Sequence, residues 1–93
     1  MGNKLIITYD ISNDKLRTAF SKYLSKFGHR LQYSVFEIRN SARILENIKI
    51  KITAYFEKKF EQSDSVIIFH LSNQCEKICF GYAENDDSDL LIV

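Results

Sequence analysis

Asp10 is the residue whose type and position most directly suggest chemistry, because its acidic side chain ends an apolar segment. Residues 4–11 (KLIITYDI) are mostly β-branched and aromatic, which predicts a strand with Ile6, Thr8 and Asp10 on one face. A carboxylate in apolar surroundings needs a partner, since burying an unpaired charge is costly. A two-fold axis nearby would bring two copies of Asp10 together, and such a pair either shares a proton or binds a cation.

Mg2+ is the cation expected between two copies of Asp10, because it is commonly held by one or two carboxylates with water and phosphate oxygens. Such a metal can polarise a phosphodiester and activate water, which predicts a metal-binding and catalytic role for Asp10. A structural role stays open at this point, with Asp10 capping the following helix or pairing with Arg17.

Basic and aromatic residues near Asp10 are candidates for contacts with nucleic acid. Arg17 is expected on the helix face opposite the core, and Arg30 begins the next strand, so both can contact phosphates together with Lys15, Lys22, Arg39 and Arg43. Simple solvation is the alternative for each of these basic side chains. Tyr9 and Phe36 can stack on bases, and packing into the core is their alternative role.

Other familiar kinds of catalytic site are missing from the sequence. His29 and His70 have no neighbouring Asp, Ser or Cys arrangement, and no glycine-rich phosphate loop is present. Cys75 and Cys79 do not have zinc-knuckle spacing, and no second Cys/His pair accompanies them. We therefore expect reduced thiols in a cytoplasmic protein.

The basic residues Lys15, Arg17 and Lys22 are expected on a helix. Ser12 and Asn13 offer N-cap chemistry, and Asp14 suits a helix N-terminus. Gly28 stands at the position just after the helix, where a residue in the left-handed conformation commonly ends a helix. Between them the apolar residues recur at helical spacing, at Leu16, Ala19, Phe20, Tyr23, Leu24 and Phe27.

The remaining segments predict further strands and a second helix. Residues 30–39 (RLQYSVFEIR) alternate, with Val35 on one face and Phe36 and Ile38 on the other. Asn40 or Ser41 can cap the second helix, whose apolar stripe is Ile44, Leu45, Ile48, Ile52, Tyr55, Phe56 and Phe60. Residues 65–71 (SVIIFHL), 76–83 (EKICFGYA) and 90–93 (LLIV) predict strands.

The order of elements, β-α-β-β-α-β-β, predicts an α+β, ferredoxin-like domain with an antiparallel sheet over residues 1–83. Residues 84–93 are expected to add an acidic loop and an extra C-terminal strand that pairs with a partner subunit. Two helices cover only one face of such a sheet, yet Ile6, Phe36 and Ile38 are expected on the other face. A second copy of the chain would cover that face, so the sequence predicts a homodimer through sheet faces.

Length and charge narrow the class of protein further. Ninety-three residues with 45% hydrophobic positions suffice for one domain and exclude a disordered chain. Residues 1–60 carry twelve Lys or Arg against five acids, whereas residues 61–93 carry one Lys against seven acids. We expect the basic part to face nucleic acid and the acidic tail to meet protein. No apolar run approaches the ~20 residues that span a bilayer, so no membrane association is expected.

Four sequence features occur together in an order and spacing that resemble a known family. They are YDIS at residues 9–12, Arg17 three residues after Asp14, GHRLQYSVFE at residues 28–37, and DSVIIF at residues 64–69. From residue 4 to about residue 83 the chain closely resembles the small core adaptation proteins of CRISPR systems, the CRISPR-associated endoribonuclease family.

The resemblance implies a ferredoxin-like homodimer whose C-terminal strands complete the partner's sheet. It implies a metal-dependent phosphodiesterase acting on RNA or DNA, with Asp10 binding Mg2+ or another divalent cation across the dimer axis. It also implies a scaffold that sits between copies of the CRISPR integrase and holds the double-stranded protospacer DNA during spacer acquisition. The family positions that match Tyr9, Asp10, Arg17, Arg30 and Phe36 are filled as the family requires.

Two functional hypotheses from different classes follow. The first is a Mg2+-dependent nuclease that acts through the paired Asp10, and the second is a scaffold for DNA and integrase in which Asp10 is structural. One carboxylate per chain and no evident general base favour the scaffold as the physiological role, with nuclease activity in vitro. The remaining alternative is a ferredoxin-like nucleic-acid-binding or regulatory module that has no CRISPR role and no catalysis.

Overall fold

The computed structural model describes residues 4–39, 42–71 and 76–82. Within them the chain forms one five-stranded antiparallel sheet in the order β2-β3-β1-β4-β5. The strands are β1 (Lys4–Asp10), β2 (Gly28–Gln32), β3 (Val35–Arg39), β4 (Ser65–Leu71) and β5 (Glu76–Gly81). The order confirms the ferredoxin-like α+β fold, with β5 added at the β4 edge. The predicted tail and strand at residues 84–93 lie outside the described residues.

The first helix, α1 (Asp14–Leu24), begins at the predicted cap. The Asn13 side chain accepts a hydrogen bond of 2.9 Å from the backbone N–H of Leu16. The helix ends before Phe27, and a turn leads directly into β2. The prediction for Gly28 is therefore wrong: it opens β2, where a Cβ atom would lie 2.1 Å from the Glu37 carbonyl oxygen. Close approach of two strands, rather than a left-handed turn, requires glycine here.

The second helix, α2 (Ala42–Lys51), continues into a π-helical turn at Ile52–Phe56 and a 3-10 turn at Glu57–Lys59. Its buried row is Ile48, Ile52 and Phe56, which confirms the predicted helical stripe. Tyr55, which was expected in the same stripe, is 41% exposed because it lies beside this row rather than in it. The predicted caps at Asn40 and Ser41 lie outside the described residues.

Residues 30–39 form a hairpin rather than one alternating strand, because Tyr33 and Ser34 turn the chain between β2 and β3. Phe36 pairs with Ile7, and Ile38 pairs with Leu5. Both side chains therefore face the helices and are fully buried. The prediction that Phe36 and Ile38 lie on the uncovered face is wrong, since the turn breaks the alternation on which it was based.

One layer of core lies between the helices and the sheet. It joins the inward residues of the strands to the buried residues of the helices, among them Leu5, Ile7, Phe20, Phe36 and Ile52. The opposite face of the sheet, which we call the open face, has no helix over it among the described residues. Its central side chains are partly buried and, apart from Thr8, apolar; they are Ile6 and Thr8 on β1, Val35 on β3, and Ile67 and Phe69 on β4.

Two further findings concern the class of protein. No helix in the described part of the chain is both long and apolar enough to cross a bilayer. Cys79 on β5 has a free thiol, while Cys75 lies outside the described residues.

Candidate functional site

Asp10 is the last residue of β1, and its exposed side chain lies on the open face, opposite Ser65 of β4. The two structural roles left open for it belong to other residues, since Asn13 caps α1 and Arg17 pairs with Asp14. Within residues 4–39, 42–71 and 76–82, no hydrogen bond or ion pair to the Asp10 carboxylate is found. Asp10 therefore presents an unpartnered carboxylate at the edge of an uncovered, partly apolar sheet face.

Tyr9 points to the opposite side of the sheet from Asp10, because successive residues of a strand alternate. There it borders a small polar cavity of about 120 Å3, which we call the arginine–tyrosine cup. The residues that line the cup are Tyr9, Arg17, Thr18, Ser21, Arg30 and Tyr33. The structure thus brings together Tyr9, Arg17 and Arg30, which are three of the five predicted nucleic-acid contacts. The Phe36 ring packs against the guanidinium of Arg30.

Arg30 reaches the cup from β2. Its guanidinium carbon lies 5.4 Å from the centre of the Phe36 ring, and Nη1 donates a 3.0 Å hydrogen bond to the Tyr33 carbonyl oxygen. A guanidinium over an aromatic face gains a favourable cation–π interaction. The buried Phe36 ring therefore acts as a platform for Arg30.

Arg17 reaches the cup from α1 and is held at the end of β1. Its Nη1 donates to the carbonyl oxygens of Ile11 and Ser12 at 3.0 and 3.4 Å, and its Nη2 forms an ion pair with Asp14. The hydrogen bond that Arg17 donates to the Asp14 carboxylate raises the pKa of Arg17. Its guanidinium carbon also lies 5.9 Å from the centre of the Tyr33 ring. The positive charge of Arg17 is thus fixed beside the loop that follows Asp10.

Tyr9 contributes a hydroxyl to the cup and a ring to the core. The ring is 6% exposed, packing edge-on against Phe20 with 5.1 Å between centroids and tilted against Phe36 at 6.3 Å. Burial raises the pKa of Tyr9, against the lowering effects of Arg30, Arg17 and a hydrogen bond with Ser21. The hydroxyl is therefore protonated at neutral pH and can donate to an anion. Because both rings are buried, Tyr9 and Phe36 do not offer free faces for stacking on bases.

Lys15 lies outside the cup. It is exposed on the first turn of α1 and lines a separate groove of about 310 Å3 together with Tyr55 and Lys59. The sequence interpretation grouped Lys15 with Arg17, but residues two apart on a helix point in different directions. Any contact between Lys15 and nucleic acid is therefore a separate contact from that of the cup.

Sequence reasoning missed Asp64, which is 1% exposed and precedes β4. Its Oδ1 accepts hydrogen bonds from the Ser12 backbone N–H at 3.0 Å and the Ser12 hydroxyl at 2.6 Å, and its Oδ2 accepts one from the Glu61 N–H at 2.9 Å. Burial acts to raise the pKa of Asp64, but the hydrogen bonds from Ser12 and Glu61 outweigh it and lower that pKa. Asp64 thereby fastens the loop between Asp10 and Arg17 to the start of β4.

A metal ion at Asp10 fits the donor chemistry only when a second carboxylate joins it. No group of three or more His, Cys, Asp or Glu side chains suited to a metal occurs among the described residues. An exposed, unpartnered carboxylate on a face that a second copy can cover is what a shared divalent site requires. His29 on β2 lies opposite Glu37, and His70 lies opposite Leu5, at the end of β4 away from Ser65. Neither histidine therefore borders Asp10 as a general base.

Comparisons with known proteins identify the family to which the chain is similar. The sequence model of the family described as CRISPR associated protein Cas2 matches residues 3–78. The CRISPR-associated endoribonuclease Cas2 2 of Methanospirillum hungatei is 34% identical over 73 residues, which are 78% of this chain and 78% of that relative. The CRISPR-associated endoribonuclease Cas2 of Thermus thermophilus is 40% identical over 55 residues, which are 59% of this chain and 58% of that relative.

A solved structure gives the same result for the fold. The crystal structure of a hypothetical protein from Thermus thermophilus aligns with a TM-score of 0.67 and 26% identity, covering 82% of this chain and 89% of that one. Together with the family match across most of the sequence, these similarities identify the chain as a member of the CRISPR-associated Cas2 family.

Proposed function

We propose that the chain is a cytoplasmic CRISPR protein that dimerises through its open sheet faces. The dimer hydrolyses phosphodiester bonds of RNA or DNA and uses a divalent cation, for which Mg2+ is the first candidate. The Methanospirillum and Thermus relatives are named endoribonucleases, and we extend that activity to this chain. The observation that carries the proposal is the exposed Asp10 carboxylate, which has no polar partner within the described residues and stands at the rim of the open face.

Each part of the site has a distinct task in this proposal. Two copies of Asp10, one from each subunit, would hold the cation, which when bound polarises a phosphodiester and activates water. Arg17 and Arg30 neutralise phosphate charge, and the Tyr9 hydroxyl donates a hydrogen bond to a phosphate oxygen. Since the cup and Asp10 lie on opposite faces of the sheet, the cup would bind a phosphate other than the scissile one.

Cleavage assays on single-stranded RNA, single-stranded DNA and duplex DNA with Mg2+ test this proposal. We expect Asp10→Asn to abolish cleavage while leaving a dimer in size-exclusion chromatography. Glu46→Gln is the matched control, because Glu46 is an exposed acid on α2 whose one ion pair within the described residues is with Lys49 at 3.7 Å. Cleavage by Asp10→Asn at the rate of the unmodified chain would refute the proposal.

A scaffold role is the second candidate, favoured by the single carboxylate per chain and by the positions of His29 and His70 away from it. In that role the dimer bridges copies of the CRISPR integrase and holds protospacer DNA. Spacer acquisition by cells that carry Asp10→Asn separates the two roles. Acquisition at the unmodified level would support the scaffold as the physiological role, and its loss would support catalysis.

A further inference from the structure

Tyr23 and Tyr55 on the helical layer are surrounded by lysines that the proposed site does not use. The Nζ atoms of Lys51 and Lys59 lie 4.8 and 5.0 Å from the centre of the Tyr55 ring. Lys51 and Lys26 each lie 5.9 Å from the centre of the Tyr23 ring. We call these five residues the lysine–tyrosine surface.

Lys15 extends this surface by a fourth lysine. Lys15, Tyr55 and Lys59 line the groove of about 310 Å3, whose apolar side is formed by Leu16 and Ala19. These residues belong to α1 and to the turns that follow α2, so they form part of the helical layer. The sheet therefore separates the lysine–tyrosine surface from Asp10 on the open face.

Little negative charge balances these lysines. Asp14 pairs with Arg17, Glu46 pairs with Lys49, and the Glu57 carboxylate accepts a hydrogen bond of 3.2 Å from the Gly81 N–H. Glu61 is the acid that lines the groove. Within the described part of the chain, no carboxylate lies within ion-pair distance of Lys15, Lys26, Lys51 or Lys59.

We infer that the lysine–tyrosine surface is a second binding site for nucleic acid and that it contacts the phosphodiester backbone. Two ammonium groups held against one exposed ring repel each other, and a polyanion relieves that repulsion while releasing its own counterions. The tyrosine rings hold the ammonium groups through cation–π interactions. Because the Tyr55 ring already carries two lysines, it is not available for stacking on a base, and the contact does not depend on sequence.

This inference rests on the proposed function only for the class of ligand, since the surface needs neither a metal ion nor Asp10. The test is therefore made in EDTA, which binds divalent cations and so prevents metal-dependent hydrolysis. The affinities for a mixed-sequence DNA duplex and for single-stranded RNA are measured as the salt concentration is raised. The duplex is the expected ligand of the two, because backbone contacts alone favour its higher and more regular density of phosphates.

The test compares Lys51→Gln/Lys59→Gln with a control of equal net charge, Lys4→Gln/Lys77→Gln, whose residues lie on the sheet strands β1 and β5. We expect the first double variant to bind the duplex roughly tenfold more weakly at low salt, with a salt slope smaller by about two. The control should change affinity less than twofold. Lys51→Arg/Lys59→Arg, which keeps both charges, should bind like the unmodified chain.

Equal weakening in the two double variants would mean that net charge alone acts, and would overturn the inference. So would unchanged binding by Lys51→Gln/Lys59→Gln, or tighter binding of the single strand than of the duplex. Failure of the proposed function gives a different pattern, in which the duplex binds through these lysines but no substrate is cut when Mg2+ is added.

Discussion

The Ser12 hydroxyl donates a 2.6 Å hydrogen bond to Oδ1 of Asp64, joining residues 52 positions apart in the chain. The Ser12 backbone N–H donates to the same oxygen, and the Glu61 N–H donates to the other. Arg17 in turn donates to the carbonyl oxygen of Ser12. Asp64 therefore fixes the loop that separates the Asp10 carboxylate from the Arg17 guanidinium, although it belongs to neither site.

Replacing this carboxylate should destabilise the fold. Asp64→Ala removes the acceptor of three part-buried hydrogen bonds donated by Ser12 and Glu61, and a hydrogen bond to a charged group is worth about 1.5–3 kcal/mol when it is shielded from water. We expect the free energy of unfolding in urea to fall by about 3 kcal/mol. Asp14→Ala, at an exposed carboxylate, should cost less than about 1 kcal/mol. A loss at Asp64 no larger than at Asp14 would show that the hydrogen bonds contribute little.

Asp64 should also make the stability depend on pH in the acid range. Its pKa is lowered in the folded chain, so its contribution is fully present above the unfolded value of about 3.9 and is lost as the pH falls through the folded value. The melting temperature should therefore drop more steeply below about pH 4 in the unmodified chain than in Asp64→Asn. Parallel melting curves for the two proteins between pH 6 and pH 2 would contradict this assignment.

Tyr9→Phe isolates the hydroxyl of the arginine–tyrosine cup, because the ring that packs against Phe20 is kept. We expect nucleic-acid affinity in EDTA to weaken about threefold to tenfold, the equivalent of about 1 kcal/mol for one hydrogen bond, with stability nearly unchanged. Tyr82→Phe is the control, since Tyr82 is 63% exposed and belongs neither to the cup nor to the lysine–tyrosine surface. Equal nucleic-acid affinities of the two variants would show that the Tyr9 hydroxyl does not contact nucleic acid.

Ile67→Asp tests dimerisation through the open face. Ile67 is partly buried on β4, opposite Thr8, and a charge there would be desolvated by a second copy. We expect the variant to elute as a folded monomer in size-exclusion chromatography with light scattering. Ile50→Asp, at a residue on α2 that is 54% exposed, should leave the dimer intact. A dimer with Ile67→Asp would place the interface on another surface.

The sequence predicted the elements well wherever a long periodic segment determined them. The Ser65–Leu71 strand and the Ile48, Ile52 and Phe56 row are confirmed, because their burial follows directly from local spacing. The face on which Phe36 lies was predicted wrongly, since the Tyr33–Ser34 turn contains no Gly, Pro or Asn to signal it.

The arginine–tyrosine cup was only partly predictable for a related reason. Arg17 and Arg30 were identified as phosphate contacts by residue type, whereas Ser21 and Tyr33 join them only through the tertiary fold. The role of Asp64 likewise depends on a contact across 52 residues, which local pattern does not contain. The sequence alone therefore does not determine which long-range hydrogen bonds form, or on which face of the sheet the residues of a short strand lie.

We propose that two Asp10 carboxylates, one from each subunit, bind one divalent cation. Isothermal titration calorimetry with Mn2+, in chain that has been treated with EDTA and dialysed, measures it most directly. We expect one ion per two chains in the unmodified protein and no binding by Asp10→Asn, which should still elute as a dimer. One ion per chain, or undiminished binding by Asp10→Asn, would contradict it.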